Sequence, residues 1–97
     1  MHATVRRYTS SELADLLDSR SDEVESLMSG IPGLHGYYLV RTDDGCMSIT
    51  ISEDDSGTQE SAVRAAGWLR ENASGISATP DIATGEVFAE TRAAART

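Results

Sequence analysis

Apolar and polar residues follow a strand–hairpin–strand pattern in the segment 31–53, which is IPGLHGYYLVRTDDGCMSITISE. Residues 34–42 are rich in aromatic and β-branched side chains, which a half-buried pleated surface favours. In residues 46–52, a methionine and two isoleucines alternate with serine and threonine, the period-two pattern of a strand with two different faces. The Asp-Asp-Gly sequence between these segments predicts a hairpin turn, with Gly45 in the left-handed conformation.

Helical patterns lie on both sides of this hairpin. The first begins at a capping box formed by Thr9 and Glu12, and Gly30 is its expected C-terminal stop. Its apolar stripe has spacings of three, four and seven residues. The stripe consists of Leu13, Leu16, Leu17, Val24, Leu27 and Met28. The second helix is predicted from residue 56 or 58 to Asn72. Its expected apolar face is mostly small-sided and consists of Ala62, Val63, Ala66, Leu69 and Ala73.

Weaker strand patterns occur near the two ends of the chain, in residues 2–8 and 81–90. The resulting order is βαββαβ, the split βαβ arrangement of ferredoxin-like α+β folds, with a four-stranded antiparallel sheet and both helices on one face. Residues 1–90 are expected to form one domain and residues 91–97 a flexible C-terminal tail. The strands are apolar to mixed on both sides, and a chain of 97 residues cannot cover both faces alone. The pattern therefore predicts a homodimer, a dimeric α+β barrel in which two sheets face each other.

Composition and charge limit the partners. The chain has 16 acidic residues against eight basic ones, all of them Arg, and its formal net charge is −8. Nucleic acids and anionic membranes bind basic patches, so neither is expected as a partner. No apolar segment approaches the roughly 20 residues needed to span a bilayer, and the N-terminal sequence lacks the apolar core of a secretory signal. A cytoplasmic protein is expected.

Cys46 is the single cysteine, which excludes an intrachain disulfide and a cysteine-based metal cluster. Iron–sulfur and copper-carrying ferredoxin-like proteins are thereby excluded, and no metal and no cofactor are expected. RNA-binding members need stacking aromatics on a basic sheet, and acylphosphatase-like members need a Gly-rich anion-binding loop that this chain lacks. Cys46 has no neighbouring His or basic residue in sequence, which argues against a thiolate nucleophile. Amino-acid-sensing regulatory domains and plain structural dimers remain rival classes.

The sequence PGLHGYY in residues 32–38, followed by ITISE in residues 49–53, resembles the dimeric α+β barrel superfamily. Within it, the chain is most similar to the antibiotic-biosynthesis-monooxygenase-like proteins, in which a Pro-Gly turn precedes the second strand and an acidic residue, here Glu53, closes the third. Members include cofactor-free oxygenases acting on polyketide-like aromatics and haem-degrading enzymes. The haem-degrading members use an Asn on the first strand together with a Trp and a His. This chain has no Asn in residues 2–8 and no His in its second helix, so the resemblance does not imply haem degradation.

Four candidate site residues come from the hairpin and the second helix. Trp68 is either a packing anchor or the wall of an aromatic-binding cleft, and its small neighbours predict partial exposure. Tyr37 and Tyr38 point to opposite faces of their strand, so one should face the helices and the other the dimer barrel. His35 is either a surface or interface residue or a base, since it is the one side chain of the ordered core that ionises near neutral pH.

The first strand supplies the fifth candidate, Arg6. Arg6 and Arg7 lie on opposite faces of that strand, so one is expected at the surface or at the dimer rim. The other is expected to form an internal ion pair, with Glu86 as partner, or to bind a substrate carboxylate or phenolate.

The predicted function is small-molecule binding in a pocket between helices and sheet, in a cofactor-free monooxygenase-like enzyme. The substrate would be a small aromatic, or at least apolar, molecule that forms its own carbanion, with His35 as base or Arg6 as stabiliser of the anion. The alternative is a non-catalytic homodimer with a ligand-binding, regulatory or structural role.

Overall fold

Four antiparallel strands form one sheet, and three helices cover one of its faces. The computed structural model describes residues 1–76 and 79–91. Its elements are β1 (His2–Tyr8), α1 (Ser11–Ser19), α2 (Ser21–Ser29), β2 (Leu34–Thr42), β3 (Gly45–Ser52), α3 (Asp55–Asn72) and β4 (Asp81–Glu86). The strand order is β2-β3-β1-β4. This is the predicted ferredoxin-like α+β fold. The strand β4 ends at Glu86 rather than at residue 90, and the predicted tail lies outside the described residues beyond residue 91.

The first predicted helix is divided into two, which the apolar stripe did not indicate. Arg20 has φ −124° and ψ 29°, and its N–H bonds the carbonyl oxygens of Leu16 and Leu17 where α1 ends. The hydroxyl of Ser19 also donates to the Leu16 carbonyl oxygen, at 2.8 Å. Serine in this position competes for backbone groups and favours a helix end. The N-cap of α1 was also predicted one residue too early, because Ser10 accepts from the Leu13 N–H at 3.1 Å.

Two glycines have conformational roles around the hairpin. Gly33 has φ +77°, which permits the turn that leads into β2. The prediction of a left-handed Gly45 is wrong, because Gly33 is the one residue with positive φ in the described part of the chain. Gly45 is required for a different reason: a Cβ there would clash with the carbonyl oxygen of Tyr8 on the neighbouring strand.

The helix α3 turns a different face to the sheet from the one predicted. Its N-cap is Asp54, whose side chain accepts from the Ser56 N–H at 3.1 Å. The buried side of the helix is mostly polar and small, and consists of Gly57, Thr58, Ser61 and Trp68. Val63, which was assigned to the apolar inner face, is 67% exposed. Gly57 lets the helix approach β3, since a Cβ there would lie 2.5 Å from the Cβ of Ser52.

The two faces of the sheet differ sharply in composition. The face beneath the helices carries five buried polar side chains, from Thr4, Arg6, Ser48, Thr50 and Ser52. The face without helices carries half-buried apolar side chains, from Val5, Val40, Met47, Ile49 and Ile51. Most of the apolar core is therefore formed by the helices and the loop that precedes β2, and includes Leu13, Leu17, Val24, Met28, Ile31 and Trp68. No helix of the described residues is long and apolar enough to cross a membrane.

Candidate functional site

A small cavity of about 20 Å³ lies between the covered face of the sheet and the three helices. The helices contribute mainly apolar wall, from Leu17, Val24, Leu27, Met28, Trp68 and Leu69. The sheet contributes most of the polar groups, from Arg6, Tyr8, Tyr37 and Ser48. A space of this size has room for about one water molecule in this conformation.

Arg6 is the most unusual residue of the cavity. It is 3% exposed and is the one charged side chain among the buried residues that the structure describes. Its Nη1 lies 3.4 Å from Ser61 Oγ, whereas Nε and Nη2 have no partner in the described part of the chain. A buried cation without a counter-charge is unfavourable, because desolvation is not repaid by an ion pair. We therefore expect Arg6 to lower stability in the absence of a ligand.

The predicted internal ion pair on β1 is absent from the described residues. Arg7 is the surface arginine, and its Nη2 lies 2.9 Å from Asp44 Oδ2 at an exposed site next to the hairpin. Glu86 lies opposite His2 in the β1–β4 register, not opposite Arg6. The prediction of an Arg6–Glu86 ion pair is wrong because β4 brings Ile82, not an acid, to the position opposite Arg6.

Two tyrosines lie close to the Arg6 side chain. Burial raises the pKa of Tyr8 and of Tyr37, because desolvation disfavours the phenolate. The positive charge of Arg6 and a side-chain interaction with Arg6 partly offset this effect at both tyrosines, and a side-chain interaction with Ser48 does so at Tyr37. The polar end of the cavity thus has one cation, two neutral phenols and the hydroxyl of Ser48.

Trp68 is held by two residues from the junction of α1 and α2. Its Nε1 donates to Glu23 Oε1 at 3.0 Å, and the Arg20 guanidinium lies 5.1 Å from the ring centroid, a cation–π distance. Arg20 in turn donates to both carboxylate oxygens of Glu23, at 2.9 and 2.6 Å. These hydrogen bonds, first from Arg20 and then from Trp68, lower the pKa of Glu23. Trp68 is 8% exposed, so the prediction of partial exposure is wrong, although the ring does line the cavity.

The structure separates the remaining candidates from the cavity. Tyr37 faces the helices, whereas Tyr38 is on the opposite face of the sheet and is 55% exposed. His35 is exposed at the start of β2, where the strand register shifts between Leu34 and Gly36. It does not line the cavity. Sequence reasoning missed the cavity residues Tyr8 and Ser48, since the period-two pattern separates the two faces of a strand but does not show that the polar face lies beneath the helices.

A surface groove of about 190 Å³ adjoins the cavity. The two spaces share a wall formed by Leu17, Leu39 and Cys46. At the outer side of the groove, Arg41 forms exposed ion pairs with Asp15 at 2.9 Å and Asp18 at 3.0 Å. Burial raises the pKa of the Cys46 thiol, which keeps it protonated at neutral pH. The described residues contain no cluster of three or more His, Cys, Asp or Glu that could hold a metal ion.

No family model matches the sequence, and no curated protein matches it. The fold, however, is shared with several solved structures. A MhuD variant with two manganese protoporphyrin IX molecules bound per active site has a TM-score of 0.74 and 17% identity, over 96% of this chain and 100% of that one. A dimeric ferredoxin-like protein from an uncultured marine organism has a TM-score of 0.68 and 17% identity, over 95% of this chain and 96% of that one.

A variant of SnoaB, a cofactor-independent oxygenase from Streptomyces nogalater, has a TM-score of 0.67 and 14% identity. The match covers 92% of this chain and 94% of SnoaB. These identities establish a common fold and nothing finer. The chain shares the ferredoxin-like α+β fold of these proteins, which is the fold that its sequence resemblance implied.

Proposed function

We propose that this protein binds a small aromatic molecule in the cavity between helices and sheet, and that it oxidises this molecule with O₂ without a cofactor. The observation that carries the proposal is the cavity itself, an apolar space that has Trp68, Tyr8 and Tyr37 in its wall. Pockets of this composition bind ligands mainly by burial, with a few polar groups fixing their orientation. SnoaB, which has the same fold, is a cofactor-independent oxygenase.

The cavity must open to admit such a ligand, because its present volume of about 20 Å³ is far below that of an aromatic ring. The adjoining groove offers the space, because Leu17, Leu39 and Cys46 line both the groove and the cavity. Rotation of Leu17 and Leu39 would join the 20 Å³ cavity to the 190 Å³ groove. The ligand would then enter past the Arg41 ion pairs and reach Trp68.

The proposed chemistry uses a substrate that can form a stabilised carbanion. The anion transfers one electron to O₂, and the resulting radical pair combines to a peroxide. The C–H and O–O bonds of the peroxide then break and hydroxide leaves, which converts the original CH₂ group into a carbonyl. The hydroxide takes up the proton that the CH₂ group released to solvent, so overall one O₂ is consumed and one H₂O is released. The protein binds the anion, stabilises it and excludes bulk water. Because His35 does not line the cavity, we assign it no proton transfer, and the substrate would enter as its anion.

A metalloporphyrin, such as the manganese protoporphyrin IX bound by the MhuD variant or its iron counterpart haem, fits these residues poorly. Neither histidine lines the cavity: His2 Nδ1 lies 3.2 Å from Thr58 Oγ1 at the other end of β1, and His35 is exposed. The cavity therefore lacks an imidazole to bind iron, and we derive no step through haem.

Homodimer formation belongs to the same proposal. Five half-buried apolar side chains occupy the open face of the sheet, together with the exposed ring of Tyr38. A second copy of the chain would cover this face and form the barrel. The second candidate function, a non-catalytic ligand-binding, regulatory or structural homodimer, needs the same interface but no reaction in the cavity.

Anthrone is a suitable probe, because its CH₂ group ionises readily and its oxidation gives anthraquinone. We expect the purified protein to accelerate oxygen uptake and quinone formation above the rate of a heat-denatured sample, with Trp68→Phe reducing the acceleration. The exposed-site variant Val63→Ala should leave it unchanged. An anthrone oxidation rate equal to that of the denatured sample, combined with ligand binding, would instead support the non-catalytic candidate.

A further inference from the structure

The guanidinium of Arg6 has two neighbouring buried N–H groups, at Nε and Nη2, that form no hydrogen bond among the described residues. We call this pair of donors the fork. The Nη1 of Arg6 lies toward Ser61 Oγ, at 3.4 Å, while Nε and Nη2 are both buried and without a partner among the described residues. In a planar guanidinium these two N–H groups point in the same direction, and their spacing matches the two oxygens of one carboxylate. A carboxylate offers one oxygen to each of these N–H groups, whereas a water or a phenolate offers one oxygen to both.

We infer that the cavity binds an aromatic carboxylate, with its two oxygens on Nε and Nη2 of Arg6 and its ring beside Trp68. This inference rests on the proposed function, because it names the ligand class of the same cavity. The carboxylate would neutralise the one buried charge of the described residues. It would also offer an acceptor to the hydroxyl of Ser48, which lines the same cavity.

The position of the fork relative to the apolar wall sets the shape of the ligand. Arg6 and Ser48 are on adjacent strands and directly opposite each other in the β1–β3 register, whereas Trp68 and Leu69 line the cavity from α3. A ligand with its anionic group on the sheet therefore directs its apolar part toward the helices. This arrangement matches a flat aromatic acid, with the charge at one end and the ring at the other.

A neutral isostere distinguishes this inference from general aromatic binding. The probes are 2-naphthoate and 2-naphthamide, which have the same ring system and nearly the same shape. Binding is followed by ¹H–¹⁵N NMR, including the arginine Nε–H signals, with chloride held constant. We expect 2-naphthoate to bind at least roughly tenfold more tightly than 2-naphthamide, because the amide cannot form the charge-assisted bidentate contact with Arg6. We also expect it to shift one arginine Nε–H signal that is absent from Arg6→Met.

Variants of the two adjacent arginines provide matched controls. Arg6→Met should lose the preference for 2-naphthoate, whereas Arg7→Met, on the exposed face of the same strand, should keep it. Arg6→Lys retains the charge without the fork and should lose most of the preference. If Arg6→Met does not fold, the carboxylate assignment is still tested in two ways. One is the comparison of the two probes on the unmodified protein, and the other is their comparison on Arg6→Lys.

The outcomes distinguish a failure of the carboxylate assignment from a failure of the proposed function. Equal binding of both naphthyl probes would overturn the carboxylate assignment and leave aromatic binding intact. Equal perturbation of the Arg6 signal by chloride alone would also overturn it, since the site would then be an inorganic-anion site. Failure of both probes to bind would remove the proposed function together with this inference.

Discussion

The face of the sheet beneath the helices carries buried polar side chains, and the open face carries apolar ones. Burial alone would favour the opposite arrangement. Beneath the helices lie a threonine pair, two serines and an unpaired arginine, while the uncovered face holds valine, methionine and isoleucine. A polar interior costs stability unless its groups are satisfied. An apolar exterior costs solubility unless it is covered. This difference is the basis for proposing ligand binding at the covered face and assembly at the open face.

The covered face is itself divided. Its apolar part lies under α1 and α2, where Leu13 and Met28 are each 1% exposed. Its polar part lies under α3, where Thr58 and Ser61 face β1 and β3. Trp68 stands at the boundary between the two parts, lining the cavity while bonded to Glu23 of α2. The buried apolar side chains therefore lie on one side of the cavity, and the polar groups of the proposed ligand site lie on the other.

The largest change in stability is expected from substitution of Trp68, at this boundary. Trp68→Ala should lower the free energy of unfolding by about 3–5 kcal/mol, because it removes a buried ring and leaves Glu23 without one donor. Chemical denaturation measures this loss, and Val63→Ala, at an exposed position of the same helix, should change stability by less than about 0.5 kcal/mol. In the unmodified protein, Trp68 emission should be blue-shifted and poorly quenched by iodide. Strong quenching would show that the ring is not enclosed.

The open face is tested by Ile49→Asp. A carboxylate in the middle of an apolar dimer interface should weaken association by about 3 kcal/mol, roughly a hundredfold. Sedimentation equilibrium should show a dimer for the unmodified protein and a monomer for this variant at micromolar concentration. Val63→Asp, on the outer surface of α3, is the control and should remain dimeric. A stable monomer of the unmodified protein would contradict the assignment of this face to assembly.

The close approach of α3 to the covered face is tested by two glycines of one helix. Helix propensity favours alanine at both positions by up to about 1 kcal/mol. At Gly57 the added Cβ would lie 2.5 Å from the Ser52 Cβ, whereas at Gly67 the nearest atom is the end of the Arg70 side chain at 3.9 Å. We expect Gly57→Ala to destabilise by about 1–3 kcal/mol and Gly67→Ala to be neutral or stabilising. Equal midpoints of thermal unfolding would contradict the observed packing.

Tyr8 and Tyr37 should give a smaller effect, a loss of stability in alkaline solution. The pKa values of Tyr8 and Tyr37 are raised by burial above the value of about 10 that applies when the chain is unfolded. Their contribution to stability is therefore complete below that pH and is lost as the pH rises through the folded pKa values. Arg6→Met removes the charge that partly offsets burial, so both phenols should ionise at still higher pH. A spectrophotometric titration of phenolate absorbance measures the shift, and unchanged titration would show that Arg6 does not act on these tyrosines.

The sequence predicted the element order because strand and helix periods reflect backbone geometry. The alternation through Met47, Ile49 and Ile51 defined β3 and its two faces, and the capping signals placed the helices within a few residues. The division at Arg20 was missed, since Leu17 and Val24 continue the apolar stripe with the spacing of an unbroken helix.

The candidate site was only partly predictable, because its character depends on polar residues that are buried. Periodicity identifies the faces of α3 but not which face is inside, and hydrophobicity selected the face of Val63 rather than that of Ser61. The burial of Trp68 depends on Glu23, which is 45 residues away in sequence. The choice between a paired and an unpaired Arg6 depended on the register of β4, which places Ile82 opposite it.

The central claim is that Arg6 is retained for a ligand rather than for stability. The direct test is the unfolding of the unmodified protein, Arg6→Met and Arg7→Met at neutral pH, each with and without 2-naphthoate. We predict that Arg6→Met is as stable as the unmodified protein or more stable by about 1–3 kcal/mol, and that Arg7→Met differs by less than about 1 kcal/mol. The same concentration of 2-naphthoate should raise the melting temperature of the unmodified protein and of Arg7→Met more than that of Arg6→Met, because a tenfold weaker affinity lowers the stabilisation by about 1.4 kcal/mol. A loss of about 3 kcal/mol or more in Arg6→Met, the size expected for breaking a buried pair, with equal ligand shifts in all three proteins, would contradict the account.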